Sequence, residues 1–528
     1  MTTKFKILLF LVITINLSCS NNETKSNKNS TDVIQLVSDS YGAPVFLNDN
    51  RIEKIKGITD TLQKLFNDHS IEKKIPGIAY GIVVDDTLLI ASTTGVLNIE
   101  NKNPVKLNSS FRIASMTKSF TAMAILKLRD EGLLSLNDPV KDFIPELEEL
   151  HYLTSDSPII DIENLLTMTA GFPEDNPWGD RQLALSDEAF TDLLADGLSM
   201  SKIPSHQYEY SNTGYAMLGR IITVVSGMSY QEYIRKQILL PLGMNNTYWE
   251  YSNVPDGQLA NGYRWEDEKW KEEPILHDGS YGAMGGLITS IEDFSKYVSF
   301  HLSAWPARSE KEKGPLKRST LREMHTPQFN FLNSWSRDWN GEACASMIGY
   351  GYGLGISMDC KRITRVSHGG ALPGFGSNYA FFPKYGIGLM AFGNLTYTRP
   401  IPYDKIEKLL FETLDLEART LPTSNILRQR KNEIADLLNK DEFSFEKDIF
   451  AENLFLDRSE EKHRKEIQEI LDKAGAIESI QKLRPRNQLR GDFKIQCQHG
   501  EIDIFFTLTP EKTPMIQRLD VSFKANNQ

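Results

Sequence analysis

Ser115 and Lys118 lie three residues apart in FRIASMTKSFTA, a stretch that is otherwise mostly apolar or small. A lysine is costly to bury, and a serine weakly disfavours a helix interior. At i and i+3 of a helix the two side chains project from one face, a turn apart. A desolvated lysine has a lowered pKa, so it can take the proton of a serine attacking a carbonyl. A helix starting close to Ser115 would also turn its N-terminal dipole toward the alkoxide developing there. The bland alternative is an N-cap serine beside a snorkelling lysine. Spacing alone does not separate the two, because Ser-x-x-Lys starts at Ser70, Ser115, Ser199, Ser444, Ser459 and Ser479. Only the copy at Ser115 has apolar surroundings; the others sit among charged or polar residues, where a solvated lysine explains itself.

Two further stretches supply the groups such a pair would need. In YEYSNTGYAMLG, Tyr210 and Asn212 precede a small-residue helix able to pack closely on the helix of Ser115. Tyr210 would relay protons between Ser115 and a leaving group, with Lys118 keeping the phenol ionisable; Asn212 would hydrogen-bond Lys118 and the substrate. A second Tyr-x-Asn at Tyr251 runs straight into the turn VPDG. In SHGGALPGFGS, His368, Gly369 and Gly370 fall on a strand whose glycines would let a substrate backbone lie along its edge. His277-Asp278-Gly279 is its double, in a loop-like stretch. The backbone N–H groups of Ser115 and Ala371 would form an oxyanion hole.

These three elements, in this order, resemble the serine β-lactamase and penicillin-binding-protein superfamily. The Tyr-x-Asn form is similar to its class C branch, with the related esterases and D-aminopeptidases. LLTMTAGF (Leu165 to Phe172) and GAMGGLITSIEDFSKY (Gly282 to Tyr297) are similar to family signatures, and the resemblance covers about residues 55 to 415. It implies an antiparallel sheet covered by helices, a helical subdomain, and a site between them. It also implies acyl-enzyme formation at Ser115, with Lys118 and Tyr210 sharing general-base work. Where β-lactamases carry Lys-Thr-Gly this chain has His-Gly-Gly, which removes a hydroxyl and replaces a fixed charge by the partial charge of a histidine. The expectation is therefore a serine hydrolase of esters or small amides and peptides, an esterase or D-amino-acid peptidase before a β-lactamase. Met168 occupies a position where many relatives carry histidine, and reads as packing. The competing reading is a non-catalytic cell-envelope protein that uses the same cleft to bind a ligand.

The rest of the chain narrows the classes. With 528 residues, 40% hydrophobic and 24% charged, the composition is globular and long enough for more than one domain. A net charge of -11 and no basic block interleaved with aromatics exclude a nucleic-acid binder. No metal-binding cluster, cofactor motif or G-x-S-x-G is present, and Gly-Lys does not occur, so no P-loop is either. Residues 1–18 read as a signal peptide: Lys4 and Lys6 precede the short apolar run ILLFLVITI. NLSC, ending at Cys19, resembles a bacterial lipobox, which implies lipidation of Cys19 and a membrane-anchored envelope lipoprotein; plain secretion is the alternative. Cys344, Cys360 and Cys497 remain, and read as free buried thiols, a Cys344–Cys360 disulfide being the other possibility.

The expected architecture is α+β, with a polar tether over 19–50, a hydrolase domain over 51–418 and a small α+β accessory domain over 425–528. GIAYGIVVDDTLLIAST predicts two strands turned at Asp85-Asp86, and Tyr350 to Leu395 predicts further antiparallel strands. Tyr403 to Leu416 predicts an amphipathic helix closing the sheet. Ser290 and Ser459 are expected N-caps, and Gly475 a helix terminator.

Overall fold

The computed structural model describes residues 37–445, 448–456 and 458–526, so the leader and Cys19 lie outside the described residues. The described residues fall into two compact units: Ala43–Pro422, and residues 423–526 together with 37–42. The larger unit thus begins inside the stretch expected to be tether. Val45 and Thr420 exchange two backbone hydrogen bonds of 2.9 and 2.8 Å. The Arg51 guanidinium lies 3.5 Å over the ring of Phe46 and pairs with Asp49 and Asp85. Those contacts tie residues 43–50 to the domain that the sequence reading started at 51.

The larger unit is built on an eight-stranded antiparallel sheet. Its spatial order is Thr87–Gly95, Gly77–Val84, Ile387–Gly393, Phe375–Phe382, Thr364–Leu372, Gly355–Met358, Ser346–Tyr350 and Phe329–Asn333. The N-terminal hairpin turns at Asp85-Asp86 and adds to the strand that ends the sheet-forming run. Alternation along the strands decides which core each side chain enters. Ala79 and Val83 face one core, with Phe120, Phe294, Met390 and Phe392. Ile78, Tyr80, Ile82 and Val84 face the other, with Leu62, Phe66, Leu389 and Leu410. Every residue of Gly77–Val84 is buried, because helices cover both faces. One cover is Ile291–Ser303, started by Ser290, whose hydroxyl accepts from the Asp293 N–H at 3.3 Å. The other includes Thr59–Glu72 and Tyr403–Lys408, the latter widening into a π-turn over Leu409–Thr413 where one continuous helix was expected.

The cysteine expectation is corrected. Cys344 and Cys360 form a disulfide, and among the described residues Cys497 is the one free cysteine, buried. The reason is register: Met347 pairs with Met358 across the hairpin, which brings Cys344 to within one position of facing Cys360 just beyond the ladder, their Cα atoms 5.2 Å apart. Residues 16 apart in sequence are thereby linked. Replacing both by serine is expected to lower unfolding free energy by about 3 kcal/mol. Denaturant titration under non-reducing conditions reads this, and an unchanged midpoint would contradict it.

The smaller unit has its own core of Leu427, Ile434, Phe493, Ile504 and Phe506. Helices Asn425–Leu438 and Glu460–Ala474 pack with a five-stranded antiparallel sheet. Ser459 caps the second helix, and Gly475 ends it at a φ of 74°. No helix among the described residues is long and apolar enough to cross a membrane.

Candidate active site

The turn that carries Ser115 is held from three sides. Phe111–Arg112 pairs with Ile288–Thr289, and the buried Arg112 donates to the carbonyls of Gly286 and Leu276, each at 2.5 Å. Ala114 then adopts a φ of 52°, a left-handed conformation unusual for a residue with a side chain. A 3-10 turn over Ala114–Thr117 follows, and the regular helix begins at Lys118 and runs to Asp130. The helix was expected to start close to Ser115; it starts three residues later, and the tighter turn stacks Ser115 and Lys118 on one edge. Ser115 is buried at 7% exposure and Lys118 at 0%.

Lys118 Nζ hydrogen-bonds Ser115 Oγ at 3.0 Å, Asn212 Oδ1 at 2.7 Å and the Met284 carbonyl at 2.9 Å, with the Met284 sulfur a longer contact at 3.8 Å. The proton count is informative. Asn212 Oδ1 and the Met284 carbonyl can only accept; when the amine is uncharged they would take its two N–H groups and leave the lone pair to the Ser115 hydroxyl. Burial pulls Lys118 well below the ordinary lysine range, opposed by the Asp180 and Asp175 carboxylates. Met284 reaches Lys118 through a backbone packed at glycine: a Cβ on Gly282 would come within 1.9 Å of Asp278 Oδ1. The GAMGG run thus delivers a carbonyl, a role the sequence reading did not assign.

Asn212 opens the helix Asn212–Ser226, capped by Ser211, whose hydroxyl accepts from the Gly214 N–H at 3.1 Å. Asp175 accepts from the Asn212 N–H at 2.7 Å and from the Thr213 N–H and hydroxyl at 2.9 and 2.7 Å, fixing the helix start. Asn176 Oδ1 accepts from Asn212 Nδ2 at 3.2 Å, which leaves Oδ1 of Asn212 for Lys118. Met168 is buried in the core as expected, and its Sδ also lies 3.3 Å from the Ser211 N–H. Tyr210 sits partly buried beside Ser115, with Lys118 Nζ 4.9 Å from its ring centroid. Burial raises the Tyr210 phenol well above its usual range, although a hydrogen bond with Ser115 opposes this. Of the two groups expected to share base work, burial thus favours the neutral phenol of Tyr210 and the uncharged amine of Lys118.

The strand Thr364–Leu372 pairs with Gly355–Met358 only as far as Ser367. Among the described residues no strand neighbours that edge from His368 onward. His368 Nδ1 lies 2.6 Å from the Gly369 carbonyl and so carries the proton, while Nε2, 3.1 Å away, accepts from the Tyr350 hydroxyl. Burial, with Lys118 nearby, lowers His368 to about 4. The partial charge expected of this histidine is thus absent at neutral pH. The two glycines differ. A Cβ on Gly370 would lie 2.1 Å from the Ile113 carbonyl oxygen and 2.3 Å from Ser377 Oγ, whereas one on Gly369 would meet only the end of the Asn378 amide, at 3.0 Å. Gly370 therefore lets the strand lie against the turn leading into Ser115, where a substrate contact was expected. Gly370→Ala is expected to lower kcat/KM about 100-fold by displacing Ser115, and Gly369→Ala to lower it less. Equal losses in ester hydrolysis would refute the distinction.

Ser115, Asp180, Tyr210, His368, Ala371 and Asn378 line one cleft of about 470 Å³. A neighbouring apolar pocket of about 320 Å³ shares Tyr210, His368 and Gly369 and is walled by Tyr208, Phe329 and Tyr350. The competing copies lie elsewhere: Tyr251 stacks on Arg112, and the exposed His277 pairs with Glu250.

A sequence model described as Beta-lactamase matches residues 62–411. The chain belongs to the beta-lactamase family. Beta-lactamase-like protein 2 of Dictyostelium discoideum is 28% identical over 447 residues, covering 81% of this chain and 73% of that protein. Protein flp of Staphylococcus aureus is 27% identical over 388 residues, covering 71% and 69%. The fold is similar to that of an octameric penicillin-binding protein homologue from Pyrococcus abyssi, with TM-score 0.55, 24% identity, and 88% of this chain and 98% of that one covered. It is also similar to a penicillin binding protein from Bacillus halodurans, with TM-score 0.51, 24% identity, and coverage of 65% and 98%. Within this beta-lactamase-family chain the sequence reading missed Asp175, Asp180, Met284 and Asn378. The acidic pair lies in EDNPWGD, and no spacing rule links that loop to Ser115.

Proposed function

We propose that this chain is a serine hydrolase that forms an acyl-enzyme at Ser115, acting on esters or small amides and peptides. The observation that carries the reading is the fully buried Lys118, 3.0 Å from Ser115 Oγ with its other partners all acceptors. Ser115 Oγ attacks the carbonyl carbon and its proton passes to Lys118 Nζ. The tetrahedral oxyanion lies toward the backbone N–H groups of Ser115 and Ala371. Collapse breaks the bond to the leaving group, which departs with a proton supplied by Lys118 or through the Tyr210 hydroxyl. Water then attacks the acyl carbon, giving up a proton to the same base and restoring Ser115.

An esterase or D-amino-acid peptidase is favoured over a β-lactamase. His368 is held neutral and Gly369 has no hydroxyl, so this strand offers neither the charge nor the hydrogen bond that a substrate carboxylate would use. The aromatic pocket beside the cleft suits an apolar group next to the scissile bond. The disulfide supports export to an oxidising compartment, and with the lipobox-like NLSC it supports anchoring through lipidated Cys19. The test is covalent capture by a fluorophosphonate, read as a mass increment on the peptide bearing Ser115, beside turnover of a short-chain p-nitrophenyl ester and of a chromogenic β-lactam. No capture and no turnover would overturn the hydrolase; preference for the β-lactam would overturn the ranking.

A further inference from the structure

Beyond the strand Thr364–Leu372 the sheet continues through Gly355–Met358, Ser346–Tyr350 and Phe329–Asn333. Register sets what these strands present. Phe329 lies opposite Tyr350 and Phe331 opposite Ile348, so alternation puts all four side chains on one face. That face meets Tyr208, whose ring centroid is 6.3 Å from that of Phe329 and 5.5 Å from that of Tyr350. These residues wall the apolar pocket of about 320 Å³ beside the cleft. Phe331 lines it yet is 50% exposed, apolar surface that a ligand would cover. Gly355 lines it too and leaves space there. Among the described residues a Cβ built on Gly355 meets only the Ser367 carbonyl oxygen, at 3.4 Å.

Charge and position narrow what the pocket can hold. Among the described residues, no Asp, Glu, Lys or Arg lines it. His368 adds no charge, its Nε2 accepting from the Tyr350 hydroxyl. Lys202, which donates to the Tyr208 carbonyl at 3.0 Å, is paired with Glu209. A carboxylate or ammonium entering here would shed water without gaining a counter-ion, whereas an aryl ring would leave water favourably. Ser115 and Ala371, which hold the acyl carbon and the oxyanion in the reaction proposed above, line the cleft and not this pocket. Tyr210, His368 and Gly369 line both. The Tyr210 hydroxyl is a route for the leaving group's proton, so a group departing past it enters the pocket.

We propose that the aromatic pocket is the leaving-group subsite, that it takes an uncharged aryl group, and that Gly355 sets its depth. The inference rests on the hydrolase reading above and deepens it by naming a substrate class: esters of uncharged arylalkyl alcohols, or the corresponding amides. A branched side chain at Gly355 would occupy the space such a ring needs, and neither Ser115 nor Lys118 lines that space.

The experiment compares kcat/KM for acetates whose leaving alcohols are of similar basicity. Benzyl acetate is expected to exceed methyl acetate by about 10-fold or more, as befits one buried ring. 4-(Acetoxymethyl)benzoate is expected to fall about 10-fold or more below benzyl acetate. In Gly355→Leu the benzyl-to-methyl ratio should fall to within about 3-fold of unity. The ratio is the readout because a general loss of activity moves both esters together. Methyl phenylacetate against methyl acetate places the ring on the acyl side instead, and a preference confined to that pair would overturn the assignment. Ser115-dependent turnover without preference for benzyl acetate would overturn the subsite and leave the hydrolase standing. A ratio unchanged in Gly355→Leu would overturn the role of Gly355. Absence of any Ser115-dependent turnover would count against the hydrolase instead. Ligand-observed NMR titration of the wild-type protein with benzyl alcohol and with 4-(hydroxymethyl)benzoate then reads the pocket directly, needing neither turnover nor a variant. Equal or absent binding of the two would overturn it.

Discussion

Ser115→Ala is expected to abolish turnover of a short-chain p-nitrophenyl ester, with a loss of at least about 10⁴-fold in kcat and no labelling by fluorophosphonate. The magnitude follows from geometry. Among the described residues, Ser115 is the hydroxyl hydrogen-bonded to the buried Lys118 amine, and it lines the cleft. The fold is expected to survive. Ser115 is small, sits in a turn held by Arg112 and by the Ser377 hydroxyl donating to the Ile113 carbonyl at 2.7 Å, and caps no helix with its side chain. An alanine variant with native thermal unfolding and undiminished hydrolysis would show that the ester is cleaved elsewhere, and the acyl-enzyme would have to be abandoned.

The second large effect concerns Lys118, through both substitution and pH. Only the uncharged amine has a lone pair for the Ser115 proton, so activity must rise as Lys118 loses its own. Because burial depresses the folded-state value from 10.5 to about 7, the acid limb of kcat/KM is expected near neutral pH. Above it the rate is level, since Tyr210 is pushed well above 10 and stays protonated. Lys118→Ala should lower kcat by 10²- to 10⁴-fold, roughly the contribution of a positioned general base. Lys118→Arg should do as badly, since a guanidinium keeps the charge but has no lone pair to offer at these pH values. Substantial activity in the arginine variant would mean that Lys118 supplies only positive charge. A limb near 10.5 would mean that burial does not tune it.

The candidate site residues were legible because their types are conspicuous where they fall, and the fold brings them to one cleft. Lys118 is the lysine of an apolar helix, Tyr210-Ser211-Asn212 heads a helix of small residues, and His368-Gly369-Gly370 interrupts a strand. Local patterning likewise determined the N-terminal hairpin, the caps at Ser290 and Ser459, and the alternation that sends Ala79 and Ile78 into opposite cores. What the tertiary structure decided is everything that depends on distance across the fold. Whether Cys344 and Cys360 are thiols or a disulfide depends on hairpin register, which composition does not encode. Gly370 serves the Ser115 turn because a strand 255 residues further along the chain lies against the Ile113 carbonyl. The protonation states of Tyr210 and His368 follow from burial, a property of the assembled cleft that neither residue carries alone. Asp180 makes the same point: in sequence it is one acid among 70 Asp and Glu, and only the assembled fold buries it in the wall of the cleft that holds Ser115.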